Sequence, residues 1–166
     1  MQLHIINLNL CFGNKESRAI CHYVCDKYAN KGNKGLYGTN SLAKASIDQW
    51  IEAKEQSFNP PSSTLVFQLT FTPRMNIKQD KVMTKQNEDK LSKVLDIYEK
   101  RLREASFLAR DEFSLADLSH LPNTQYLVSG TDKGNLFTSR ENVGRWWDEI
   151  SSQDSWKKVV DLQKGA

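Results

Sequence analysis

The chain has 166 residues, 39% of them hydrophobic and 26% charged, with a formal net charge of +3 whose signs are intermixed. That is enough chain to bury one core without disulfides or metals, and intermixed charge offers no basic stripe of the kind nucleic acid requires, so a nucleic-acid partner is excluded. No apolar run approaches a membrane span, Asn7 and Asn9 interrupt the N-terminal apolar residues that a signal peptide would need, and the odd set Cys11, Cys21 and Cys25 reads as reduced thiols, so the expected location is cytoplasmic.

Met1 to Leu10 alternates partially, with Leu3, Ile5, Leu8 and Leu10 between polar residues, and reads as one short strand. Ile20, Tyr23, Val24 and Tyr28 fall at helical spacing, predicting a first helix from Ser17 to about Asn30, stopped by the glycine-containing loop Lys31 to Gly35. Ala43, Ile47, Trp50, Ile51 and Phe58 mark a second helix, expected to end at Asn59-Pro60-Pro61. A third runs from about Ser63, with Leu65, Val66, Phe67, Leu69 and Phe71, until Pro73 breaks or kinks it.

Asp80 to about Ala105 predicts the longest helix. Its buried seam is Leu91, Leu95, Tyr98 and Leu102, and its expected acid-to-base pairs four apart are Asp89 with Lys93, Asp96 with Lys100 and Glu99 with Arg103. Leu115 to about Val128 reads as one capped helix, Gly130 to Gly134 as a loop, Arg140 to Ile150 as a helix carrying Trp146 and Trp147, and Asp154 to Gln163 as the last, with Asp154 a candidate cap. The expected fold is all-α, a helical bundle without repeats.

Ser114 and Asp117 write a helix start. The Ser hydroxyl accepts from the Asp117 N–H while the Asp117 carboxylate reaches back to the Ser114 N–H, with Phe113 and Leu118 as a hydrophobic staple. Glu16 and Ser17 stand at another helix start, where an anionic group is favoured and where Ser17 by itself reads as an N-cap. Cys21 and Cys25 lie four apart on one helix face, but His22 between them points elsewhere and no fourth ligand is near, so no metal is expected. His120 reads as a satisfied interior histidine, not a catalytic one.

The wider phrase Phe107 to Pro122, FLARDEFSLADLSHLP, closely resembles the C-terminal helical domain of plant glutathione transferases of the phi class. Three more stretches agree in order and spacing: Glu16 to Ile20 (ESRAI), Lys93 to Leu102 (KVLDIYEKRL) and Trp156 to Leu162 (WKKVVDL). The resemblance divides the chain into residues 1–33, a remnant of the thioredoxin-like glutathione-binding domain, and residues 34–166, the helical domain. It implies conjugation of the glutathione thiol to hydrophobic electrophiles, as in detoxification, with glutathione as co-substrate and no further cofactor or metal. It implies that Glu16 and Ser17 hold the γ-glutamyl end of glutathione and that Phe67, Phe71 and Met75 line the pocket for the electrophile. It also implies pairing as a homodimer or with related subunits.

In that class the thiol is activated by a Ser of the thioredoxin-like domain, which together with a cis-Pro cannot be placed among the fifteen residues before Glu16. No catalytic residue is therefore assigned, and near-background conjugation is expected of this chain. The alternative is a non-catalytic helical module that binds apolar ligands or pairs with family subunits.

Overall fold

The computed structural model describes residues 17–164. Glu16, the expected strand within Met1 to Leu10 and Cys11 lie outside the described residues. Among the described residues every regular element is helical. The first, α1, is Ser17–Lys27, followed by a turn through Gly32 and Gly38, both at φ 81°.

The longest departure from expectation is the segment 41–74. Helix α2 (Ser41–Ala53) is capped by Asn40, whose Oδ1 accepts from the Ala43 N–H at 2.9 Å. It does not stop at Pro60-Pro61. It widens into a π turn, Lys54–Phe58, and continues as α3 (Asn59–Val66) with the prolines in its first turn. Proline lacks an N–H and its ring collides with the carbonyl four residues back. The π turn hands the Asn59 N–H to the Lys54 carbonyl five residues back, and the inserted residue re-aims the ladder so that both prolines sit where no intrahelical N–H is required.

The same device recurs at Phe67–Phe71, where the Thr72 N–H reaches the Phe67 carbonyl, and the short helical turn α4 (Thr72–Arg74) then absorbs Pro73. The helix ends at Arg74, one residue after Pro73, with Met75 as its C-cap and Asn76 in the left-handed region at φ 53°.

Helix α5 (Lys81–Glu104) starts at Asp80, whose side chain accepts from the Met83 N–H. Its Leu91, Leu95, Tyr98 and Leu102 are all buried. Two of its acids, Asp96 and Glu99, however, serve other elements. Asp96 receives Arg140 at 2.7 Å, and Glu99 receives the N–H groups of Asn142 and Val143, both at 3.0 Å to Oε2. Asp89 pairs backward with Lys85 at 2.9 Å. Tertiary partners that are already fixed outcompete flexible side chains on the same exposed face, whose pairing is worth only a few tenths of a kcal/mol, about 0.2–0.5.

The expected single helix from Leu115 to Val128 is two: α6 (Leu115–Leu118) and α7 (Leu121–Gly130), with Pro122 in the first turn of the latter. A further short turn, α8 (Asn135–Thr138), precedes α9 (Glu141–Ser151), and α10 (Asp154–Lys164) closes the chain. Two apolar clusters result. The larger gathers Phe58, Leu65, Leu91, Leu95, Tyr98, Leu102, Trp146 and Ile150 around α5. The smaller joins Ile47, Ile51, Leu115 and Ala116, and α1 docks on it through Cys21 and Cys25. Since α1 has no fully buried residue, polar pairs complete its attachment: Arg18 to Glu52 at 3.5 Å, His22 to Asp48 at 3.4 Å and Lys44 to Asp26 at 3.1 Å.

Candidate functional site

The docking of α1 leaves a cleft of about 220 Å³. One wall is α1, with Ser17, Arg18, Cys21 and His22. The floor is Ile51, Lys54 and Asn59 from the α2–α3 segment, and the far wall is Leu115, Leu118, Ser119, Pro122 and Asn123 from α6 and α7. Each wall has a local cause. The π turn opens at Lys54, three residues after Ile51, and the Ser119-His120 corner precedes the helix that brings Pro122 and Asn123 to the cleft.

The far wall is held by Asp117, which is fully buried. Its carboxylate accepts from the Ser114 N–H and hydroxyl at 3.0 and 2.8 Å, from the Leu108 N–H at 3.0 Å and from the Trp146 indole N–H at 3.0 Å. Both halves of the capping box with Ser114 are present. Burial pushes the Asp117 carboxyl up, and the four donors pull it back. One side chain thus ties the helix start, the 105–114 loop and α9 together.

His120, also fully buried, has Nδ1 2.8 Å from the Ala116 carbonyl and Nε2 3.0 Å from the Tyr98 hydroxyl. A carbonyl can only accept, so Nδ1 carries the proton and Nε2 accepts from Tyr98. Burial pushes the His120 pKa down to about 3 and the Tyr98 phenol up. His120 is a neutral structural element with no open substrate face.

Ser17 lines the cleft and is exposed. Phe67, Phe71 and Met75 are not among its lining residues. They lie on and just beyond the second π turn, where Phe67 is 44% and Met75 58% exposed, while Phe71 is half-buried with its ring 5.7 Å from Tyr126. Residues four apart do not share a face on a π turn, whose bonds span five. That is why one ring faces out and the other in.

Sequence reasoning missed Lys54, Asn59 and Asn123. The signal for Lys54 was present: it stands in the apolar stripe of Ile47, Ile51 and Phe58 at helical spacing. Burial raises the Cys21 thiol, so it stays protonated near neutral pH and is a poor nucleophile. Among the described residues no group of three or more His, Cys, Asp or Glu side chains is arranged to hold a metal ion.

A bent helical bundle with a docked N-terminal helix opening onto a small cleft defines the class of protein. Residues 58–154 match the family described as the C-terminal domain of glutathione S-transferase. Glutathione S-transferase F11 of Arabidopsis thaliana is 42% identical over 147 residues, which are 89% of this chain and 68% of the relative. Among solved structures, glutathione transferase F2 from Populus trichocarpa superposes with a TM-score of 0.89 at 69% identity, covering 91% of this chain and 70% of that one. Glutathione S-transferase I from mais, in complex with an atrazine glutathione conjugate, superposes with a TM-score of 0.82 at 33% identity, covering 91% of this chain and 69% of that one. The chain belongs to the glutathione S-transferase family, within its plant phi class. It spans about two thirds of the length of the curated relatives it matches: 68, 66 and 60% of the first three. No helix among the described residues is long and apolar enough to cross a membrane.

Proposed function

We propose that the chain is the helical half, with an adjoining helix of the glutathione-binding half, of a transferase that adds the glutathione thiol to hydrophobic electrophiles in cytoplasmic detoxification. In this reading residues 1–33 belong to the glutathione-binding domain and 34–166 to the helical domain. Glu16 and Ser17 take the γ-glutamyl ammonium and carboxylate, and Phe67, Phe71 and Met75 face the electrophile. The observation that carries the proposal is the match of nearly the whole described chain to the poplar glutathione transferase, supported by the mais glutathione S-transferase in complex with an atrazine glutathione conjugate. Subunit pairing, as a homodimer or with related chains, is part of the same proposal. It is supported by exposed apolar side chains such as Leu42 and Ile97, 82 and 61% accessible on α2 and α5.

Glutathione binding measured by calorimetry tests the assignment of Ser17, since Ser17→Ala removes the hydroxyl and should weaken binding by about tenfold or more. Conjugation to an aryl halide tests the chemistry. Only the thiolate is a strong nucleophile, and no residue of this chain is assigned to activating it, so turnover should lie near background. Losing one preorganised donor already costs on the order of a hundred- to a thousandfold. Turnover at ordinary enzymatic rates, abolished by Ser17→Ala, would make Ser17 the activating group and overturn the assignment.

A further inference from the structure

Lys54 is the charged group that the proposed chemistry leaves unused. It opens the first π turn on the floor of the 220 Å³ cleft, half-buried beside Ile51 and the apolar walls Leu115, Leu118 and Pro122. The neighbouring cations have acids: Arg18 holds Glu52 at 3.5 Å and Lys44 holds Asp26 at 3.1 Å. Glu52 also accepts from Gln56, and Glu55 accepts from Asn59, so the nearby carboxylates are engaged. Among the described residues the Lys54 ammonium makes no hydrogen bond or ion pair; only the backbone of Lys54 is bonded, to Ile51, Trp50 and Asn59. Burial lowers its pKa; Glu55 opposes that shift and Arg18 adds to it. Cys21 also opposes that shift, but burial holds its thiol above the ordinary range, so near neutral pH it stays protonated and gives Lys54 no full counter-charge. An ammonium against apolar walls without a partner is costly, and an arriving anion relieves that cost.

We propose that this cleft binds a small apolar carboxylate, with the Lys54 ammonium as its counter-ion and Ile51, Leu115, Leu118 and Pro122 as the walls around its body. At about 220 Å³ the cleft is smaller than the roughly 300–1,000 Å³ of drug-sized sites, so a body of one ring is what it accommodates. The binding requires no γ-glutamyl ammonium, and although Ser17 lines the same cleft, the comparison of acid with amide and the Lys54 variants test it separately from the role proposed for Ser17.

The probe is phenylacetate, with phenylacetamide as its uncharged counterpart, titrated into the full chain by calorimetry and followed by amide chemical shifts. Phenylacetate should bind at least about tenfold more tightly than the amide, with shift changes centred on Cys21, Ile51 and Leu118. Lys54→Met should abolish the preference, and Lys54→Arg, which keeps the charge, should retain most of it. Equal binding of the two probes, no phenylacetate binding at millimolar concentration, shift changes centred elsewhere, or a preference surviving Lys54→Met would each overturn the proposal. The comparison of acid with amide needs no variant, so it stands even if Lys54→Met folds poorly.

Discussion

At the scale of single residues, Asp117 and His120 hold the interior in different ways. Asp117 accepts from Ser114, Leu108 and Trp146 together. Ser114→Ala should therefore cost roughly 1–2 kcal/mol, the worth of a cap. Asp117→Ala should cost several, since each buried donor left without a partner costs roughly 1–3 kcal/mol. The two losses should be strongly non-additive in a denaturant double-mutant cycle, because they remove one shared unit; strict additivity would mean that the Ser114 contacts contribute independently.

His120 sets a pH dependence. Its pKa, about 3 when folded against 6.5 ordinarily, means that the unfolded chain binds the extra proton between those values. Stability is full above pH 6.5 and falls by roughly 1 kcal/mol per pH unit as the pH drops toward 3. Asp117, raised by burial, works in the opposite sense in the acid part of that window. Urea midpoints for the chain and for His120→Asn at pH 7 and pH 5 should show a smaller acid loss in the variant; an equal loss in both would place the dependence elsewhere.

At the scale of elements, the two π turns decide the direction of the long segment 41–74. Ser57 is exposed, so Ser57→Ala should be nearly neutral. Deleting Ser57 removes the extra residue of the turn and rotates everything upstream by about one helical position, roughly 100°. Ile47 and Ile51, both buried, would then leave their cluster, and the thermal midpoint should fall by many degrees. A deletion as mild as the alanine substitution would mean that the turn merely relaxes. Glu99, in turn, caps α9 from α5. Against the push of burial, the N–H groups of Val143 and Asn142 hold its carboxyl below the usual range. Glu99→Ala should cost about 1 kcal/mol, as loss of an N-terminal cap does, and that contribution should vanish in acid as the carboxylate is protonated.

At the scale of the whole molecule, the exposed apolar residues are distributed unevenly along the second π turn. Phe67 is 44% exposed and Met75 58%, whereas the Phe71 ring packs near Tyr126 with the Arg74 guanidinium 5.9 Å from its centre. Phe67→Ser should lower hydrophobic-dye binding with little change in stability. Phe71→Ser should destabilise the chain, since it removes a ring packed against the main core. Dye titration with thermal melts distinguishes the two, and identical behaviour of the variants would contradict the orientation of the rings. Exposed patches of this kind tend to associate, and sedimentation is expected to show self-association that Phe67→Ser reduces.

Much of the architecture was legible in the residues because it rests on local physics. The period of Leu91, Leu95, Tyr98 and Leu102 predicts a buried stripe, Asp80 an N-cap, and the Ser114–Asp117 spacing a box. Each depends on neighbours within one or two turns, which the chain order alone fixes. The ESRAI and FSLADL phrases likewise carried the family. What the chain order left open was decided by partners distant in sequence. Pro60 and Pro61, read as stops, are carried through by the first π turn, because Phe58 and Leu65 are both buried in the one core on either side of them. Asp96 and Glu99 leave the bases of their own helix because Arg140 and the start of α9 are held against them. Lys54 becomes the floor of a cleft only when α1 and α6 close over it from either side. Periodicity shows which residues share a face, but what that face meets is a property of packing, and there the identity of the partner is settled by the whole fold.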